Sequence, residues 1–329
     1  MAEPTAVAGL EFLGAATASG SSELSPLLGP GIQPAHVAAI SRTQEAAGFD
    51  GILTTETSSS AHALVLGTQV LSATERVRVV IAARPGPATP MSTTRALGTL
   101  DAFHPDRLGL YLPPVDNDEE FRREGDSSTR GQRQERRAEF LDVLRTLQES
   151  RSPLHHHGNH YQLDGAWSAV RPAHPVPVYL SGLSSAADAL AARCADVYLL
   201  PAEASTDVAA RIARVRAATE RTVRFGLRVR PIVGPTRPAA TRYADRLVRV
   251  RRASDSAVSA LRAATGALDD AHELIGTPHD VATTLLRYVE LGITTFQFSG
   301  YEPLEDVHRF GEVIALLRDR AALDAALPA

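Results

Sequence analysis

Residues 274–306, LIGTPHDVATTLLRYVELGITTFQFSGYEPLED, hold one complete helix–strand–loop unit. Thr277 stands where an N-cap belongs, with Pro278 at the first helical position. Val281, Leu285, Leu286 and Val289 recur at helical spacing, and Gly292 stops the helix after Leu291. Ile293 to Phe298 is a short run rich in β-branched and aromatic residues, which predicts a strand. Ser299, Gly300 and Tyr301 then turn the chain and present the Tyr301 hydroxyl at the strand's C-terminal end. In a barrel of such units, that end is where sites are built.

The same alternation runs along the whole chain. Strands are expected at Leu10–Gly14, Gly51–Thr55, Val77–Ala83, Leu108–Leu112, Val176–Leu180, Val197–Leu200, Val223–Val233 and Ile293–Phe298, with helical runs between them. Val77–Ala83 is almost continuously apolar, as a strand covered on both faces should be. Pro113–Gly131 is charged and aperiodic and is expected to be a long loop. His155–Trp167 is expected to be an excursion containing a small hairpin, and Ala253–His272 a less ordered insertion. Eight strands alternating with helices predict an α/β chain folded as a single (β/α)8 TIM barrel over residues 1–329, with insertions after strands four and seven. An open doubly wound sheet would need a glycine-rich phosphate turn after the first strand. GAATASG, residues 14–20, is not G-x-G-x-x-G.

Composition removes several function classes. The chain contains no lysine, so all 34 basic residues are arginine. That excludes a Schiff-base lysine and a phosphate-loop lysine. A net charge of −4 argues against nucleic acid as an electrostatic partner. No run of about 18 apolar residues predicts a membrane span, and the N-terminal MAEPTAVAGLEFLG lacks the basic region of a signal peptide. A single cysteine, Cys194, excludes an internal disulfide framework and fits a cytoplasmic location. No metal site is expected: His155, His156, His157 and His160 lie in a polar run, and the first strand lacks a His-x-His pair.

Several stretches, in order, resemble the bacterial luciferase-like flavin-dependent monooxygenases, and most closely their alkanesulfonate monooxygenase branch. They are AAGFDGILTTE (46–56), TRALGTLDAFHPDRLGLYL (94–112), RRAEFLDVLRTL (136–147), HGNHYQL (157–163), PVYLSGLSSAADALAARCADVYL (177–199), FGLRVRPIV (225–233) and LIGTPHDVATTLLRYVELGITTFQFSGYEPLED (274–306). The resemblance implies a (β/α)8 barrel using reduced FMN, or in some branches reduced F420, as a dissociable cofactor. It also implies a flavin reductase as partner, a small-molecule substrate and a homo-oligomer or a hetero-oligomer with a homologue.

The resemblance places the flavin phosphate at the turn after the fifth predicted strand, Ser181-Gly182-Leu183-Ser184-Ser185, and retains Arg133. Small residues and a helix N-terminus suit an anion physically, although a plain serine N-cap would use the same residues. Arg228 and Arg230 alternate on the seventh predicted strand and so share a face. They want either an anionic ligand or an internal carboxylate partner. Arg228 and Tyr301 match family active-site residues, and Ser60 takes the place of a family cysteine. Glu56 is open between a general base and a salt-bridge partner. His62 is open between a proton donor and an exposed residue at a helix start.

The chain departs from the branch elsewhere. Ala16 and Pro303 stand at histidine positions, Tyr111 and Pro114 at an asparagine and a threonine, Gln134 at a tyrosine, and no arginine is found near Ala267. These departures point away from an alkanesulfonate substrate. They leave three readings: an FMN-dependent monooxygenase acting on another small organic molecule with O2, an F420-dependent oxidoreductase, and a non-catalytic subunit or binding protein.

Overall fold

Thr277 caps its helix as the sequence predicts. Its hydroxyl accepts from the Asp280 amide at 3.2 Å, while the Asp280 carboxylate accepts from the Thr277 amide at 2.9 Å. This reciprocal box satisfies two amide groups that the first turn would otherwise leave unpaired. At the far end Gly292 takes φ 100°, where a side chain would be strained. Thr277→Ala should therefore lower stability by about 1 kcal/mol, measured as a shift in urea midpoint with unchanged slope. No shift would mean that Asp280 alone holds the turn.

The computed structural model describes residues 9–21, 31–253 and 274–326. The expected insertion beyond Ala253, with the position near Ala267, lies outside the described residues, as do residues 22–30 of the first loop. In chain order the elements begin with β1 (Glu11–Ala15), α1 (Pro34–Ala46), β2 (Gly51–Thr54), α2 (Ala63–Ala73), β3 (Arg78–Ala82), α3 (Pro90–Phe103) and β4 (Leu108–Leu112). They continue with α4 (Asp118–Arg123), α5 (Arg130–Glu149), β5 (Leu154–His157), β6 (Gln162–Ala166), β7 (Val178–Ser181), α6 (Ser185–Cys194), β8 (Val197–Pro201) and α7 (Ser205–Ala217). The remainder are β9 (Arg224–Val229), β10 (Ile232–Val233), α8 (Arg237–Ala253), β11 (Ile275–Gly276), α9 (Pro278–Glu290), β12 (Ile293–Phe298) and α10 (Pro303–Ala326).

Eight parallel strands form one closed barrel in the order β1-β12-β9-β8-β7-β4-β3-β2. The (β/α)8 fold expected from the alternation is the fold observed. The excursion after α5 is the expected hairpin, β5 against β6. Two expectations need correction. The charged stretch after β4 contains a helix, α4, and is not loop throughout. Asn117 caps it, and acidic residues in the first turn with arginines in the last complement its dipole. One short helix with a single buried apolar residue, Phe121, is too brief to show a period.

The seventh predicted strand is also not continuous. It ends at Val229, and Ile232–Val233 pairs separately with β11. Pro231 between them lacks an amide donor and cannot extend the ladder. Arg230 therefore lies beyond the strand, and the alternation argument applies to Arg228 alone.

The chain packs as two compact units, residues 1–52, 199–213 and 224–329, and residues 53–198 and 214–223. In the first, Phe12 stacks on Phe296 at 6.2 Å, and Phe298 packs against Phe310 of α10 at 5.2 Å and Phe49 at 6.1 Å. These outward-facing rings leave the alternate β12 side chains, Thr295 and Gln297, facing the barrel interior. In the second unit, Val79 and Ile81 of β3 lie against Gly67 of α2, so that Arg78 and Val80 face inward. Among the described residues no helix is long and apolar enough to cross a membrane.

Candidate active site

In the second unit β7 ends at Ser181 and α6 begins at Ser185, so the serine turn joins a strand end directly to a helix N-terminus. Ser184 is the N-cap, its Oγ accepting from the Ala187 amide at 3.2 Å and from Gln134 Nε2 at 3.3 Å. Ser185 is exposed and Gly182 buried. A Cβ on Gly182 would lie 2.5 Å from the Cβ of Ala187, so only glycine lets the turn sit this close to its helix. Tyr111 of β4 donates its hydroxyl to Ser181 Oγ at 3.0 Å.

Two side chains hold the turn from behind. Arg137 of α5 is fully buried, and its Nη2 donates to the carbonyls of Leu112 and Ser181 at 2.6 and 2.7 Å. Its Nε and Nη1 are buried without a hydrogen-bond partner. Burial draws its pKa down to about 10, which leaves it charged at neutral pH. Tyr198 of β8 places its hydroxyl 2.6 Å from the Gly182 carbonyl and 2.8 Å from Asp188 Oδ1.

Arg133 lies elsewhere in this unit. Its hydrogen bonds go to the carbonyls of Val115 and Ser128 and to Asp118, and its guanidinium covers the Phe121 ring at 4.4 Å. Arg84, paired with Glu124, covers the ring at 4.8 Å. Arg133 thus anchors the segment carrying α4, while its neighbour Gln134 reaches the serine turn. Ser60 is exposed; its Oγ accepts from the Thr57 amide at 2.7 Å and closes its own turn. Glu56 Oε2 accepts from the Ala63 amide at 2.6 Å, which makes it a cap for α2, and His62 is exposed beside it.

In the first unit, Arg228 and Gln297 are register partners on β9 and β12, and Arg228 Nε donates to Gln297 Oε1 at 3.3 Å. The pairing places Arg228 on the inward face. Arg230 donates through Nη2 to the Gly300 carbonyl at 3.1 Å, and its guanidinium stacks over the Tyr301 ring at 3.8 Å. The structure thus brings Arg230 and Tyr301 into direct contact. Tyr301 is 3% exposed, packed among Ile232, Leu247 and Tyr243. Asp306, at the start of α10, accepts from the amides of Tyr301 and Glu302 at 2.7 and 2.9 Å. The histidine run does local work: His155 bonds Asp164, and His156 bonds Glu139. Among the described residues no group of three or more His, Cys, Asp or Glu side chains is placed to hold a metal ion.

Residues 14–295 match the family model described as luciferase-like monooxygenase. The chain belongs to that family. The match is to the family and does not single out the alkanesulfonate branch. Among solved structures, the barrel is similar to a long-chain alkane monooxygenase at TM-score 0.79 and 14% identity, over 95% of this chain and 92% of that one. It is similar to the EDTA monooxygenase of Chelativorans sp. BNC1 at TM-score 0.78 and 14% identity, over 95% and 94%. An F420-dependent secondary alcohol dehydrogenase follows at TM-score 0.73 and 19% identity, over 94% and 100%. At these identities the likeness shows the fold.

Sequence reasoning missed Arg137, Tyr198, Gln297 and Asp306. Arg137 carried a usable signal: with Phe140, Leu141 and Leu144 it falls at i, i+3, i+4 and i+7, on the apolar stripe of α5. An arginine in that stripe is a buried charge, which needs a reason.

Proposed function

We propose that this luciferase-like chain is an enzyme that takes reduced FMN from a separate reductase and, with O2, oxidises a small organic substrate other than an alkanesulfonate. The serine turn carries the reading. It offers a capped helix N-terminus, an exposed serine and a glycine that lets the turn close against its helix, which together suit a phosphate monoester. Ser181, Gly182, Ser184 and Ser185 would hold that phosphate, with Arg133 contributing by fixing the α4 segment. Bound reduced flavin would supply the electrons that activate O2.

The chain's own contribution is binding and charge. Arg228, held by Gln297, would face negative charge on the substrate or the reacting group. Arg230 and Tyr301 would form one wall, with Tyr301 as hydrogen-bond donor, and Ser60 would lie at the loop after β2. The single barrel would act in the cytoplasm as an oligomer.

Anaerobic titration with reduced FMN and reduced F420, followed by oxygen, tests the proposal. Micromolar binding of reduced FMN, with oxidation kinetics altered from those of free flavin, is expected. Preferential binding of F420 would replace FMN in the proposal, and binding of neither would leave a non-catalytic family member.

A further inference from the structure

We propose that the α4 segment is a lid over the barrel mouth in the second unit, and that Arg84 is an oxyanion-binding residue which Glu124 of the lid occupies until a ligand carboxylate or phosphate takes its place. The inference does not draw on the flavin reading. Ala82 shares the inward face of Arg78 and Val80, and the Ala83 amide still bonds the Tyr111 carbonyl at 2.9 Å. Arg84 therefore leaves β3 at its C-terminal end with inward parity, at the end of a barrel where ligands bind. It is 6% exposed, paired with Glu124 and stacked on the Phe121 ring at 4.8 Å.

The segment is fastened by charge and scarcely by core. From Pro113 to Gln132 only Val115 and Phe121 are buried, and α4 makes no extensive backbone contact with another described helix or strand. Its two ends rest on α5, the next element in the chain, through Asp118 to Arg133 and Asp126 to Arg136. Its middle reaches across the mouth. Glu120 accepts from the Ser58 amide, in the loop after β2, at 2.8 Å, and Phe121 and Glu124 meet Arg84 after β3. Gly125, at φ 83° with open space around it, separates Glu124 of this latch from Asp126 of the hinge. A segment with so little apolar burial opens at low free energy. Glu124 is also a replaceable partner. Burial raises its pKa, Arg84 opposes the rise, and Glu56, Glu120 and Asp126 add to it. Its carboxylate thus sits in surroundings that disfavour its charge in spite of the arginine. Glu120 and Glu124 ride on the lid and leave with it, so an incoming oxyanion meets the planar guanidinium fork without them.

Hydrogen exchange of the full chain, read at the amides of residues 118–125, tests the inference in acetate, inorganic phosphate and chloride at equal ionic strength. Acetate or phosphate should speed exchange there about tenfold and saturably, with chloride matching only the effect of screening. The oxyanion that acts at the lower concentration identifies the ligand group as carboxylate or phosphate. Glu124→Gln removes the resident anion and keeps its shape, so it should raise the affinity for the oxyanion about fivefold. Arg84→Gln should loosen the lid too, but weaken the oxyanion response more than about twentyfold. The two variants break one ion pair with opposite effects on oxyanion binding, which a merely structural pair would not show. If Arg84→Gln does not fold, Glu124→Gln carries the test.

Equal opening by chloride, a wild-type lid that answers to neither oxyanion, or unchanged or weakened oxyanion affinity in folded Glu124→Gln would overturn the inference. Failure of FMN to bind would sink the flavin reading and leave the lid standing. FMN binding beside an unresponsive lid would do the reverse.

Discussion

Asp306→Ala is expected to lower the stability of the first unit by about 3–4 kcal/mol, the largest loss for any single residue at the candidate site. The carboxylate is 1% exposed and accepts four donors: the amides of Tyr301 and Glu302, the Tyr243 hydroxyl at 3.4 Å and Arg309 Nη1 at 2.9 Å. Removing it leaves the Tyr301 amide buried and unpaired, and buried orphans cost about 1–3 kcal/mol each. Arg309 is part-exposed and can return to water, so it adds little. Burial, and then the Asp306 charge, push the Tyr243 phenol well above its usual range, so it remains a donor at any working pH. Tyr243→Phe should accordingly cost only about 1 kcal/mol, and Asp306→Asn about half the alanine loss. Urea unfolding of the three variants measures the series. A loss below about 1 kcal/mol for Asp306→Ala would show that water replaces the carboxylate, and that Tyr301 is held by its apolar neighbours alone.

The origin of this arrangement explains why only part of it was legible. The strand and helix periods of each αβ unit are local, so the barrel could be read from residues 274–306 and its repeats. The capping box at Thr277 and the stop at Gly292 are local too. Asp306 was visible only as a charge near the start of a helix; its role depends on Tyr301 folding back under α8 and β11, a contact set by tertiary packing. Alternation continues through FGLRVRPIV and predicts Arg230 on the strand, but the ladder ends at Val229 because Pro231 has no amide to extend it. At the serine turn the motif could be read and its supports could not. Arg137 and Tyr198 come from other elements: Arg137 sits among the charged residues RQERRAE of α5 and Tyr198 in the apolar strand β8, and nothing local ties either to the turn. Tyr111 shows the same dependence on the fold: it lies on β4, remote in sequence from the turn, and its hydroxyl bonds Ser181.

Gly182→Ala should weaken FMN binding about thirtyfold, or about 2 kcal/mol, while leaving riboflavin binding within about twofold of wild type. The argument is steric. The new methyl would meet the Ala187 Cβ at 2.5 Å, well inside the 3.5–4.0 Å at which carbon atoms rest. Neither atom belongs to a flexible side chain, so backbone must move. Ala187 lies in the first turn of α6 and donates its amide to the Ser184 cap, so relief comes from opening the turn between β7 and α6. That movement displaces the turn in which the phosphate is proposed to sit. The same strain should lower stability by about 1–3 kcal/mol. Gly131→Ala is the matched control. It lies in the first turn of α5, where a Cβ meets only Thr129 Oγ1 at 3.9 Å, and it should be neutral or stabilising by up to about 1 kcal/mol with FMN binding unchanged. Wild-type FMN affinity in folded Gly182→Ala would mean that the turn yields without cost, and that phosphate is recognised elsewhere on the barrel.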